Sequence, residues 1–201
     1  YYRRFDELVE EKKRPDQRVA YTIQTNGVGL DEEWFAFLKE KGFLVGLSVD
    51  GVRKTHDENR VDYQGEGTFS QVFACARKLE EYKIPFHVLC VLNARTASRI
   101  GAIYRFFGRK GFLRQQYIPC LDPVGEERGK EEWSLTPRMY GEALKELFDL
   151  WFQDQMEGRP VYIRQFENYV GMLTGAQPEA CNMYGRCSMQ NVIESDGSVY
   201  P

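Results

Sequence analysis

The chain has 201 residues, 42% of them hydrophobic, which is enough to bury the core of one large domain. Its formal net charge of -3 excludes a basic footprint for nucleic acid or an anionic membrane surface, and no apolar run has the length of a membrane span. Five cysteines are present, and Cys75, Cys90 and Cys120 lie apart in apolar or strand-like segments, as buried thiols of a reducing cytoplasm do and a disulfide framework does not.

The opening YYRRFDELVEEKKR has no secretory pattern and suits a helix over 2–13; a start in mid-helix without methionine is expected of a fragment. Residues 18–25 (RVAYTIQT) read as a strand closed by Asn26-Gly27. A helix over 31–41 has Asp31 as N-cap and Gly42 as its stop. Residues 43–49 (FLVGLSV) form an apolar strand ended by Asp50-Gly51, and a long connection over 50–67 invites a functional explanation. The next helix opens at Thr68 or Ser70 and runs to about Lys83, with Phe69, Val72, Phe73, Ala76 and Leu79 on its inner stripe. A strand over 85–92, a helix over 96–110 and a strand over 113–119 follow. After a charged loop over 120–133, Ser134 or Thr136 caps a helix that has Pro137 in its first turn and reaches about Met156. Residues 161–173 begin extended and become helical; Arg164 and Phe166 there either point into a site or simply pack.

Four strands, apolar on both faces and separated by helices, require parallel pairing with right-handed crossovers. The fold class is therefore α/β, either an open sheet or part of a (β/α) barrel, and both put chemistry at the C-terminal ends of strands. Those exits carry Gln24, Asn26, Ser48, Asp50, Asn93 and Asp122. Each alone reads as a turn former; together on one rim they read as a site for a polar small molecule. In the long connection Arg60 either clamps a carboxylate through its fork or lies solvated on the surface.

Residues 181–201 (CNMYGRCSMQNVIESDGSVYP) hold Cys181 and Cys187, five residues apart in between and followed by a polar turn and a strand-like ending. Two cysteines make half of a metal site, since thiolate sites for zinc or iron-sulfur take about four ligands. A disulfide between them is the competing reading.

Taken in order, IQTNG, FLVGLSVDG, THDENRVD, GTFSQV, FHVLCVLN, YIPCLDP, CNMYGRC and VIESDGSVYP resemble the anaerobic sulfatase-maturating enzymes of the radical SAM superfamily, in its SPASM-containing branch. The resemblance covers nearly the whole chain. It implies a partial radical SAM (β/α)6 barrel, its third to sixth strands, over 1–133, a helical connection over 134–180 and the start of an auxiliary [4Fe-4S] (SPASM) region over 181–201. The Cys-x3-Cys-x2-Cys loop of the radical SAM cluster is absent, as expected of an internal fragment. By resemblance Ser48 contacts S-adenosylmethionine, Arg60 pairs with its methionyl carboxylate, Leu121 contacts the adenosine portion, and Cys181 and Cys187 are the first two auxiliary-cluster ligands. The catalytic base, an aspartate in the family, is expected beyond Pro201.

The implied reaction is reductive cleavage of S-adenosylmethionine to a 5′-deoxyadenosyl radical, hydrogen abstraction from the Cβ of a cysteine or serine in an unfolded sulfatase, and oxidation to Cα-formylglycine. Flavodoxin or ferredoxin is the implied electron donor, and the cytoplasm the implied location. Two alternatives stand beside it: a SPASM enzyme that cross-links a ribosomal peptide, and a non-catalytic α/β module binding zinc through Cys181 and Cys187. The 201-residue chain by itself is expected not to turn over; cleavage of S-adenosylmethionine by it after anaerobic cluster reconstitution would contradict this.

Overall fold

The computed structural model describes residues 1–179, 183–185 and 191–200. Helix α1 (Tyr2–Lys12) is held by Asp6, whose buried carboxylate accepts from Tyr21 Oη at 3.0 Å and pairs with Lys41 Nζ at 2.7 Å. Strand β1 (Thr22–Thr25), helix α2 (Glu32–Glu40) and strand β2 (Leu44–Ser48) follow. Asp31 caps α2 by accepting from Trp34 N–H, and Gly42 leaves the helix at φ +65°, a conformation that favours glycine.

The connection over 50–67 contains a short helix, α3 (Arg53–Asp57), and a turn around Asp62, whose carboxylate accepts from Gln64 N–H and Glu66 N–H. Helix α4 (Phe69–Glu81) begins after Thr68, but its cap is remote: Asp57 Oδ1 accepts from Phe69 N–H at 2.9 Å. Strand β3 (Phe86–Leu92) leads to two helices where the hydrophobic period suggests one, α5 (Ala94–Ala97) and α6 (Ile100–Arg109). The break arises because Asn93 and Thr96 form a capping box and Thr96 Oγ1 also donates to Val91 C=O, tying that first turn to the strand end.

Strand β4 (Arg114–Pro119) precedes helix α7 (Pro137–Met156), capped by Thr136 with Pro137 at its start. Ser134, the other candidate cap, donates instead to Asp122 Oδ1 at 2.5 Å. Strand β5 (Tyr162–Ile163) and helix α8 (Arg164–Leu173) follow, and β6 (Val192–Ile193) pairs with β7 (Val199–Tyr200) as a separate antiparallel ribbon.

Strands β1 to β5 form one parallel sheet in chain order. With right-handed crossovers that order never reverses, so helices gather on one face and the sheet curls as an arc of a barrel; an open doubly wound sheet needs a switch point, and none lies among these strands. The arc has one more strand than the four expected. It is the extended start expected at 161, and only two of its residues pair, with Arg114 and Gln115.

The convex face is the core. Val45, Leu47, Val88, Cys90 and Leu92 are buried against Leu38, Val72, Leu79, Ile103 and Phe107 of the helices. The expectation that every strand is apolar on both faces is corrected by the concave side, where Gln24, Gly46 and His87 occupy one register row. A side chain at Gly46 would meet Leu89 and Gln24 there. These residues, with Gln116, Tyr162 and Arg164, line a cavity of about 350 Å³. Phe166 packs instead, fully buried against Trp151. No described helix is long and apolar enough to cross a membrane.

Gly27 closes β1 at φ +71°, and an added Cβ would lie 2.7 Å from Leu47 Cδ1. Backbone strain and overpacking then act together, so Gly27→Ala is expected to destabilise the protein by about 1–3 kcal/mol, read as a lower midpoint in chemical denaturation.

Candidate functional site

At the rim where β2 ends, the ladder changes character. Val49 N–H still donates to Leu89 C=O, but Val91 N–H turns to the Asp50 side chain, 2.8 Å from Oδ1. Asp50 is buried, at 4% exposure, and its other oxygen accepts from Arg60 Nε at 2.6 Å while Arg60 Nη2 lies 3.4 Å from Oδ1. This side-on bidentate pair crosses the loop that α3 begins. Asp50 N–H donates to His56 Nδ1 at 3.2 Å, and Thr55 Oγ1 donates to Asp50 C=O at 2.6 Å.

His56 is fully buried. Because Nδ1 accepts from a backbone N–H, the ring proton sits on Nε2 and is donated to Thr68 Oγ1 at 3.1 Å; Thr68 in turn donates to Arg60 C=O at 2.9 Å. The result is a closed circuit from Asp50 through His56, Thr68 and Arg60 back to Asp50. Burial lowers the His56 pKa; the carboxylates of Asp50 and Asp57 oppose this, and Arg60 and Arg53 add to it.

A cavity of about 370 Å³ opens beside this circuit, lined by Asp50, Asn59, Arg60, Asn93, Cys120 and Trp133 among others. Trp133 is placed by its carbonyl, which accepts from Ala94 N–H at 3.0 Å. Across the rim Arg95 pairs with Glu58 and Glu132. A second cavity of about 500 Å³ adjoins it through Cys120 and is enclosed by the 120–137 loop, Leu121 and Asp122 included.

Of the residues expected at the site, Arg60 lines the rim cavity, Leu121 lies in the adjoining loop at 81% exposure, and Ser48, half-buried at the end of β2, lines neither cavity. Asn26, Asn93 and Asp122 act as turn and cap residues: Asn26 accepts from Val28 N–H, Asn93 caps α5, and Asp122 accepts from Gly129 N–H and Ser134. Cys181 and Cys187 lie outside the described residues. Sequence reasoning missed the pairing of Asp50 with Arg60, because Asp-Gly reads as a turn, and missed Trp133; the only signal for either was a long connection or loop at a strand exit.

The cavity suits a polar ligand with an anionic end. The side-on contact with Asp50 leaves the Nη1/Nη2 edge of Arg60 for a second carboxylate, and Asn93 and Trp133 supply a polar and an aromatic wall. A metal cluster is not held by the described residues, which contain no group of three or more His, Cys, Asp or Glu fit to bind one. Burial pushes the Cys75 thiol up to about 11 and raises those of Cys90 and Cys120.

A family model described as the Radical SAM superfamily matches residues 1–107. Over all 201 residues the chain is 43% identical to a cysteine-type anaerobic sulfatase-maturating enzyme of Clostridium novyi (strain NT) and 43% identical to one of Clostridium perfringens (strain 13 / Type A). It is 28% identical to a serine-type anaerobic sulfatase-maturating enzyme of Bacteroides thetaiotaomicron, with the whole chain again aligned. The chain spans about half the length of these relatives, 54% of each clostridial protein and 51% of the Bacteroides one. Among solved structures, native anSMEcpe with bound AdoMet and Cp18Cys peptide superposes with a TM-score of 0.94 at 41% identity, over 100% of this chain and 55% of that one.

The buried imidazole sets a pH dependence. A folded pKa below the ordinary value near 6.5 means that the unfolded state binds the proton first, so stability is full above that value and falls as pH drops below it. The thermal midpoint is expected to decline from about pH 6.5 downward. Because burial also lowers the His87 pKa, the His56 share is the part of the slope that His56→Leu removes and His87→Leu retains.

Proposed function

Because the chain belongs to the radical SAM superfamily, we propose that its protein is a cysteine-type anaerobic sulfatase-maturating enzyme, which oxidises a cysteine of an unfolded sulfatase segment to Cα-formylglycine. The observation that carries this reading is identity of 43% along the whole chain with the cysteine-type enzymes, against 28% with the serine-type one. The same likeness gives no support to peptide cross-linking or to a zinc module.

In this reading the rim cavity receives S-adenosylmethionine, which supplies the hydrogen-abstracting chemistry when bound. Arg60 holds the methionyl carboxylate through its Nη1/Nη2 edge. By family resemblance Ser48 contributes a hydroxyl from the end of β2, outside the lining of that cavity, and Leu121 packs on the adenosine portion from the neighbouring loop. Trp133 and the 120–137 loop form walls of these two cavities. Cys181 and Cys187 serve as the first two ligands of an auxiliary [4Fe-4S] cluster; the remaining cluster ligands and the base are assigned to no residue of this chain. Residues 1–133 act as the main part of the barrel, and 134–180 add β5 to it and connect it to the auxiliary-cluster region at 181–201. The electron donor is flavodoxin or ferredoxin, and the protein works in the cytoplasm.

The protein expressed from its gene, reconstituted anaerobically with iron and sulfide, is expected to form 5′-deoxyadenosine and to convert a peptide containing Cys-x-Pro-x-Arg into an aldehyde trapped by hydrazine, with the serine peptide slower. A cross-linked product without aldehyde, or zinc bound in place of iron and sulfide, would overturn the reading. Arg60→Ala is expected to weaken S-adenosylmethionine binding by about tenfold or more, as loss of a charge-assisted bidentate contact does.

A further inference from the structure

We propose that Asp50 is the positioning residue that fixes Arg60 for the ligand carboxylate, an inference that rests on the reading of the rim cavity as the S-adenosylmethionine site. An arginine on a long connection is ordinarily a mobile side chain, and ordering it only when ligand arrives costs affinity. In this chain the ordering is done beforehand. The Asp50 carboxylate is buried at the end of a sheet strand and anchored by Val91 N–H at 2.8 Å, so it is a fixed point of the sheet rather than part of the loop.

The form of the contact decides what remains available. Side-on pairing takes Nε–H and one Nη2 hydrogen, with distances of 2.6 and 3.4 Å. A guanidinium has five donors, so the end-on edge keeps the geometry that takes a carboxylate with two parallel hydrogen bonds. The backbone of Arg60 is fixed as well. Its N–H donates to His56 C=O at 2.9 Å, and its C=O accepts from Thr68 Oγ1 at 2.9 Å and Thr68 N–H at 3.1 Å. Both ends of the residue are thus tied to buried groups, and Arg60 lines the cavity that Asn93, Cys120 and Trp133 complete.

The competing account is that the pair only staples the 50–67 connection. Equilibrium binding of S-adenosylmethionine and of its decarboxylated analogue to the reconstituted protein expressed from its gene separates the two. Asp50→Asn keeps an acceptor for Val91 N–H but turns an amide toward Arg60 Nε, and is expected to weaken S-adenosylmethionine about tenfold while changing the analogue less than about twofold. In the Arg60→Ala background the same substitution is expected to cost nothing further, the non-additivity of one unit. Arg60→Lys, which keeps the charge without the fork, tests the idea on a second variant and is expected to bind S-adenosylmethionine as weakly as Arg60→Ala. Wild-type affinity in Asp50→Asn or Arg60→Lys, while Arg60→Ala binds weakly, would overturn positioning and leave the carboxylate reading standing. Equal weakening of both ligands, or additive loss in the double variant, would assign Asp50 a structural role and overturn positioning likewise. An Arg60→Ala protein with wild-type affinity would overturn the carboxylate reading and this inference with it.

Discussion

Parallel pairing in chain order is the constraint from which the rest of this structure follows. When each of five strands lies beside its predecessor, right-handed crossovers deliver every helix to the same face, and every strand exit to the same rim. One face of the sheet is then dry, packed by side chains such as Leu47, Leu79 and Phe107, while the concave face can carry glutamine, glycine and histidine in a row. Neither face could exchange roles with the other. A one-residue slip in β2 would move Val45 and Leu47 out of the core and put Gly46 into it.

The rim is rigid for a different reason. Beyond Val49 the β2–β3 ladder gives way to side chains, and Asp50 takes over from the backbone as acceptor for Val91 N–H. Its carboxylate accepts from Arg60, its backbone N–H donates to the His56 ring, and that ring donates to the Thr68 hydroxyl, around a connection that would otherwise be loose. Burying these polar groups is tolerated because each has a partner in the circuit. The function proposed for the rim cavity depends on that order, since a ligand held by one arginine needs the arginine in place before it arrives.

The elements themselves were largely legible. Asp31 and Thr136 cap the helices that their spacing suggests, and the alternation of strand and helix identified a parallel α/β sheet. Where local reading failed, a residue distant in sequence had intervened. Asp57 caps α4 from twelve residues upstream, Ser134 turns to Asp122 instead of capping α7, and Thr96 bonds Val91 C=O so that one expected helix becomes two. The extended start at 161 was legible, but that it joins the sheet beside β4 was not, because two paired residues leave no period to detect.

The site divides along the same line. The order of motifs in the sequence was sufficient to indicate the superfamily, and to mark Arg60 as a candidate, because residue types and their succession are properties of the chain. Sequence also limited charge and composition, and with them the partners excluded at the outset. Only the tertiary structure decided that Asn26 and Asp122 spend their polar groups on turns, that Asn93 both caps α5 and lines the cavity, that Asp50 faces Arg60, and that Trp133 walls the cavity beside them. Those facts depend on which strand ends meet at one rim and which hydrogen bonds are satisfied there, and such pairings between distant residues exist only once the sheet has closed them together.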